Sequence, residues 1–475
     1  MLRDVASGTE IFGVTAAEDI PRGHKMALCH IVPDENIVKY GYPIGHATRD
    51  IQAGRHIHTH NLRTSLRGLL DYEYQPEGAP EMSRKQGTFR GFVRSDGLVG
   101  IRNEIWIINT VGCVNKIAEK IARLAQARNN GRVDGIYTFV HPFGCSQLGE
   151  DHGFTQGILK NMVRHPNAGG VLVLGLGCEN NNIPEFKRVL GSWDDERVKF
   201  LNAQDVDDEI EAGLSIVEEL MDYAAKFTRQ DVCISNLTIG LKCGGSDGFS
   251  GITANPLVGR LSDDIIAHGG TSILTEVPEM FGAESILMNR CVDEEIFGKT
   301  VDLINDFKEY FMKHDQEIYE NPSPGNKEGG ISTLEDKSLG CTQKGGTSPI
   351  VDVLDYGETV RKRGLNLLQG PGNDIVAVTN LMAAGAHIVL FTTGRGTPLG
   401  APIPTVKISS NSQLAKTKPA WIDFNAGTLL EGDDMDALSQ KFFDYIIGVA
   451  SGEIQTLNEI NDYREISIFK DGVIL

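Results

Sequence analysis

No apolar run in the 475 residues approaches the ~18 needed to cross a membrane. The opening Met1-Leu-Arg-Asp-Val-Ala-Ser-Gly lacks the apolar core of a secretory signal. Basic stretches are missing too. Net charge is −19 and the pI about 5.1, and no stretch reads as a nucleic-acid footprint, so that partner class is not expected. Cysteine is sparse, eight in the whole chain, and no close Cys-x-x-Cys pair occurs. That excludes a secreted disulfide framework and leaves free thiols in a reducing cytoplasm as the expectation. Neither a phosphate loop nor a dinucleotide fingerprint is present, so no nucleotide is expected.

What is there suits a large α/β protein. A hydrophobic fraction of 40% with 54 Gly and 18 Pro provides core together with many turns. Residues 1–66 read as a small all-β unit of short strands cut off by Pro or Gly. Residues 67–95 read as a linker, with breakers, charge and no period. Residues 96–230 alternate strands (105–111, 135–140, 170–175, 198–203) with helices (114–128, 153–164, 183–192, 206–226), a doubly wound pattern. Residues 231–475 form a second α/β region, with helices expected at 256–267, 292–318 and 433–449. The stretch 321–345 has little period and reads as a long functional loop.

Three strand-to-turn junctions end in a glycine followed by a cysteine: Cys113, Cys145 and Cys178, spaced 32 and 33 residues apart (145 − 113 and 178 − 145). That spacing is about one βαβ unit, and ligands bind outside the carboxyl ends of parallel strands. The three thiols are therefore expected to converge. Thiolates suit zinc, ferrous iron or an iron–sulfur cluster, and three protein ligands leave a coordination position open. The bland alternative is three small apolar side chains at tight turns.

His56, His58 and His60 alternate, which on an extended strand places three imidazoles on one face. The alternative is an exposed strand rich in histidine. The stretch Cys243-Gly-Gly-Ser246-Asp247-Gly-Phe-Ser250-Gly, between a strand and a helix, reads as a nest of backbone N–H groups for an oxyanion. Thr393-Gly-Arg395-Gly supplies an arginine suited to a carboxylate.

Together these stretches resemble the altronate and galactarate dehydratase family of sugar-acid hydro-lyases. The resemblance rests on Lys39-Tyr-Gly-x-Pro-Ile-Gly, His58-Thr-His60-Asn61, Thr110-Val-Gly-Cys113, Gly144-Cys145-Ser-Gln-Leu-Gly and Gly175-Leu-Gly-Cys178-Glu-Asn-Asn. In the second half it rests on Cys243 to Asn255, Thr275-Glu-Val-Pro-Glu279, Glu320 to Lys327, Ser338-Leu-Gly-Cys341-Thr-Gln-Lys344, Thr393 to Pro398 and the ending Ile468 to Leu475. It implies an N-terminal SAF (β-clip) domain followed by two α/β domains with mostly parallel sheets. It also implies loss of water from D-altronate to give 2-dehydro-3-deoxy-D-gluconate in hexuronate breakdown. A divalent metal is implied, ferrous iron first and manganese second, with an iron–sulfur cluster left open.

The chemistry asks for a base at C2, an acid at the C3 hydroxyl and stabilisation of the dianion that forms beside the carboxylate. The expected assignment is Cys113, Cys145 and Cys178 on iron, with His58 and His60 closing the site as ligands or proton carriers. Arg395, Ser246, Asp247, Ser250, Asn255 and Gln343 would hold carboxylate and hydroxyls. Lys344, His141 and His152 are further acid–base candidates. His58 with His60 as the main metal ligands, or a contribution from Glu276 and Glu279, stay open. The expected partner is a small sugar acid bound by a homo-oligomer, with no nucleic acid and no membrane. Competing readings are galactarate dehydration, sulfite expulsion from sulfolactate, a non-catalytic sugar-acid binder and an iron–sulfur electron carrier.

Overall fold

The computed structural model describes residues 1–78 and 83–472. Residues 79–82 of the expected linker and 473–475 of the C-terminal motif lie outside the described residues. No helix among the described residues is long and apolar enough to cross a membrane.

Residues 1–65 build a small β unit of short antiparallel pairs, such as Asn36–Lys39 against Tyr42–Ala47 and Lys25–Met26 against His56–Ile57. Its apolar core includes Ile37, Ile44, Ile51, Ile57 and Leu62, and it extends to Ala283 and Leu339 of the C-terminal part. The chain then runs along that part. Tyr72 donates to Glu284 at 2.5 Å, Tyr74 donates to the Cys291 carbonyl at 2.7 Å, and the Glu77 N–H donates to Asn289 O at 2.8 Å. The 67–95 stretch is not linker throughout. Thr88–Val93 is a strand, antiparallel to Gln230–Cys233 and to Val99–Gly100.

The central sheet has four parallel strands in the order Gly135–Thr138, Glu104–Asn109, Ala168–Gly175, Val198–Asn202. The two middle strands are buried along their whole length, and Val, Ile and Leu supply most of their side chains. The crossover helices Asn115–Gln126, Gly149–Arg164 and Ile183–Leu190 lie where the periodicity places them, and Glu209–Ala224 packs against Ala168–Gly175.

The C-terminal sheet has seven parallel strands. Their order is Ile350–Leu354, Gly364–Leu368, Thr271–Leu274, Thr238–Cys243, Ile388–Thr393, Thr405–Ser409, Phe424–Asn425. Thr238–Cys243 is central, so its end opens among flanking loops, where α/β sheets place ligands. The two sheets share a core in which Trp106 stacks on His165 at 5.3 Å and Arg464 pairs with Glu104 at 3.0 Å.

Candidate active site

The segment 321–345 is not a loop. It forms the helices Pro324–Glu328 and Leu334–Cys341, followed by the 3-10 turn Thr342–Gly345. Thr333 caps the second helix by accepting from the Asp336 N–H, and all eight residues of that helix are buried. Such a helix has no solvent face, so its sequence carries no amphipathic period.

Its side chains address two neighbours. Toward the N-terminal unit, Glu335 accepts from Thr64 Oγ1 at 2.9 Å and Ser65 N–H at 2.7 Å. Asp336 accepts from Lys25 and Lys39, each at 2.8 Å. Burial opposes the Asp336 charge, but the two ammonium groups outweigh it and hold the carboxyl far below the usual range. Toward the large sheet, Lys337 pairs with Glu279 at 2.7 Å and Lys344 with Glu276 at 3.0 Å.

Glu276 and Glu279 follow the strand Thr271–Leu274, next to Cys243 at the end of its neighbour. Glu276 is fully buried with φ 72°, a left-handed backbone that costs a non-glycine residue on the order of 1–3 kcal/mol. It is held there by Lys344 and by Lys242, which also reaches Asp374 at 2.8 Å. Burial works against the Lys344 ammonium, yet Cys243 and Glu276 push its pKa well above the ordinary value, so it is a cation and a donor. Lys337, with Lys242 and Lys344 behind it, overcomes burial and draws the Glu279 carboxyl down to about 2.

Cys243, Glu279 and Cys341 bring their donor atoms within 4.8 Å of one another. The two sulfurs are 3.4 Å apart, and Glu279 Oε2 lies 3.1 Å from Cys341 and 3.6 Å from Cys243. The contact with Cys341 lowers the Cys243 pKa, while Cys341 is raised well above the thiol range. Two sulfurs and a carboxylate in a buried pocket fit a single transition-metal ion.

Four imidazoles gather on the N-terminal unit. His24 contacts His56 and His58 with ring centroids 5.0 and 4.9 Å apart, and His60 lies 5.3 Å from His56. His24 Nε2 donates to Glu328 O at 3.2 Å, which leaves Nδ1 to accept from His56 Nε2 at 3.0 Å. His58 Nδ1 meets Ser332 Oγ at 2.8 Å. Burial, followed by the neighbouring imidazoles and Lys25, lowers His56 and His58 to about 4, so both rings are neutral at pH 7. Glu328 also pairs with Arg395 at 3.0 Å, so the imidazoles and the arginine meet on one seam. A cavity of only about 10 Å³ along the helix Leu334–Cys341 touches Lys39, Ser246, Asp247, Lys337 and Cys341.

Other expectations are corrected. Cys113, Cys145 and Cys178 are exposed and do not form a three-donor group around one ion. His141 is buried with both ring nitrogens on the backbone, Nε2 donating to Asn109 O at 2.9 Å and Nδ1 accepting from Phe143 N at 3.2 Å. It is a scaffold residue. His152 lies on Gly149–Arg164, in the central domain, away from the imidazole group. The 243–251 turn is not an open nest. Asp247 accepts from Phe249 N, Ser250 N and Oγ, Ser410 Oγ and Asn411 Nδ2, which closes the turn around a carboxylate of its own. Asn255 bonds Gly340 O and Thr392, and Gln343 bonds Gly251 O and Leu339 O, so both brace the helix. Ser246 faces Cys243 at 2.7 Å. Lys344 is placed in the site, as a cation rather than a base.

His24 was missed as a member of the group, and His56, read on one face with His58 and His60, was given no role in the site. Cys243 and Cys341 were missed as candidate ligands. The signal for Cys243 was the same strand-end position beside glycine that drew attention to the other three.

Comparison with known proteins agrees with this layout. The family model for the altronate/galactarate dehydratase SAF domain matches residues 1–65. The second-domain model of D-galactarate dehydratase/altronate hydrolase matches 91–225, and the D-galactarate/altronate dehydratase C-terminal model matches 234–474. The altronate dehydratase of Bacillus subtilis (strain 168) is 56% identical over all of this chain and 97% of its own length. That of Escherichia coli (strain K12) is 55% identical over the same shares. The galactarate dehydratase (L-threo-forming) of Escherichia coli (strain K12) is 34% identical over 94% of this chain and 89% of its own. On these matches, and on the domain order just described, the chain belongs to the D-galactarate/altronate dehydratase family.

Proposed function

We propose that this chain dehydrates D-altronate to 2-dehydro-3-deoxy-D-gluconate. The observation that carries the reading is the seam itself, where neutral imidazoles, Arg395 and a buried set of lysines, glutamates and thiols flank one helix. The near-full-length likeness to two altronate dehydratases selects the substrate.

Arg395 holds the substrate carboxylate, exchanging its exposed Glu328 partner for it. His58, oriented through Nδ1 by Ser332, takes the C2 proton on Nε2. The C3–O bond breaks, and the imidazolium returns that proton to the departing oxygen, so water leaves and an enol remains. The enol then ketonises: the C2 hydroxyl gives its proton to water, C3 takes one from water, and the 2-keto acid results. The His58 ring is neutral at pH 7, so its nitrogen lone pair is free for the first half of this cycle. Lys344 and Lys337 supply fixed positive charge to the anion that develops beside the carboxylate.

Cys243, Glu279 and Cys341 are the residues that would hold the divalent metal, and their sulfur favours ferrous iron over manganese. Bound there, it would supply a Lewis acid for the substrate oxygens.

The test is 2-keto acid formation from a panel of D-altronate, galactarate and D-gluconate, with metal content measured on wild type and Cys243→Ser. Turnover of altronate above the others, with iron lost in the variant, supports the reading. Preference for galactarate overturns the substrate, and full metal retention in Cys243→Ser overturns the metal site.

A further inference from the structure

We propose that Cys113, Cys145 and Cys178 hold an iron–sulfur cluster at the open edge of the four-stranded sheet. This is a second metal centre, and it does not depend on the altronate reading. Three neighbouring parallel strands, Gly135–Thr138, Glu104–Asn109 and Ala168–Gly175, lead to these cysteines, so all three turns lie on one edge.

The turns are laced to one another. The Gly112 N–H donates to Phe143 O at 2.9 Å, and the Asn181 N–H to Gly144 O at 3.0 Å. The Ser146 N–H donates to Asn180 Oδ1 at 2.8 Å, and Asn181 Nδ2 to Thr110 O at 3.0 Å. A Cβ on Gly112 would stand 2.7 Å from His141 O, and one on Gly144 only 2.0 Å from Thr110 O. The glycines are therefore demanded by contact between turns, and each is followed at once by a thiol. Three cysteines ride on one knot of backbone.

All three side chains are exposed, whereas free cysteine is ordinarily among the most buried residue types. Packing does not account for them. One ion does not account for them either. Metal–sulfur bonds of about 2.3 Å place the sulfurs of a tetrahedral site under about 4 Å apart. Among the described residues these three sulfurs do not lie within 4.8 Å of one another. A polynuclear cluster spreads its thiolates over separate irons and takes wider spacings.

The surroundings suit cluster sulfur. Gln204 Nε2 points at Cys178 Sγ from 3.7 Å and Ser146 Oγ stands 3.9 Å from Cys145 Sγ, the kind of donor that tunes such centres. Asn109, fully buried at the end of the middle strand, donates through Nδ2 to Asn115 Oδ1 at 2.8 Å and has no partner for Oδ1 among the described residues. With three protein thiolates, one iron of a four-iron cluster has no protein ligand and is open to an oxygen donor.

The test uses the full chain, purified without oxygen and reconstituted with ferrous iron and sulfide. The expected result is about four iron and four acid-labile sulfide per chain, a broad visible absorption and a paramagnetic signal on reduction with dithionite. Cys113→Ser, Cys145→Ser and Cys178→Ser each lose most of the sulfide while melting within about 2 °C of wild type, as surface changes do. Cys29→Ser, Cys233→Ser and Cys243→Ser keep it. No labile sulfide in the reconstituted wild type, sulfide retained in the triple variant, or a single zinc or iron ion on these three thiols would each overturn the proposal.

Discussion

Lys344 Nζ stands 3.0 Å from Glu276 Oε2, and neither side chain is more than 1% exposed. Lys242 approaches the other oxygen, so the carboxylate sits between two ammonium groups. Removing one partner of a buried pair strands a charge and costs roughly 3–5 kcal/mol. Lys344→Met should therefore lower stability by about that amount in urea titration. It should also lower kcat at least tenfold by removing a fixed charge from the reacting anion. A variant with wild-type turnover would take Lys344 out of the chemistry.

His58 and His141 should separate under mutation. His58→Gln is expected to lower kcat by about 10²–10⁴ with little change in melting temperature. His141→Gln breaks two buried backbone hydrogen bonds and should cost about 1–3 kcal/mol of stability. Its kcat per folded molecule should stay near wild type. The reverse outcome would exchange the two roles.

Asp336 fastens the N-terminal unit through Lys25 and Lys39. Asp336→Asn leaves two ammonium groups facing a neutral amide, one of them nearly buried. Destabilisation of roughly 3 kcal/mol is expected. Because residues 72–77 are bonded to the C-terminal part, loosening should appear first as faster proteolysis between the two. Unchanged cleavage rates would mean that the apolar contact of Ile44 and Leu62 with Leu339 suffices alone.

Acid should weaken the molecule through His165 and His387. Burial, and for His165 also the neighbouring His387, lowers the two rings to about 3 and about 4 from 6.5. His165 donates through Nε2 to Ala386 O and accepts at Nδ1 from Asn167 N, so neither nitrogen can take a further proton without losing a bond. The unfolded chain binds a proton below pH 6.5 and the folded chain does not, so stability falls as pH drops from 6.5 toward 4. At pH 5 the loss is about 2 kcal/mol per ring. Melting curves at pH 7 and 5 measure it, and His165→Asn should flatten the difference.

Much of the architecture could be read from residue order. The strands and helices of 96–230 follow their periods within a few residues, because each helix there has one wet face and one dry face. The helix Leu334–Cys341 could not be read that way, since it is dry all round. The imidazole group was half legible. His56, His58 and His60 are neighbours in the chain, while His24 joins them only through the pairing of Lys25–Met26 with His56–Ile57. The cysteines misled for a related reason. A strand-end position marks a residue as able to reach a site, and Cys243 satisfies it as well as Cys113 does. Only the long-range contact with Cys341, 98 positions on, singles it out.

The fully enclosed helix also constrains how this chain can vary. Neighbouring side chains on it, Glu335 and Asp336 on one hand and Lys337 on the other, are read by different domains. A helix turns by about 100° per residue, so one inserted or deleted position between 335 and 341 would present each side chain to the wrong listener. Substitutions elsewhere can be absorbed one at a time. Here, length itself is the message, much as the cuts on a two-sided key lose meaning when the blade is shifted by a single notch.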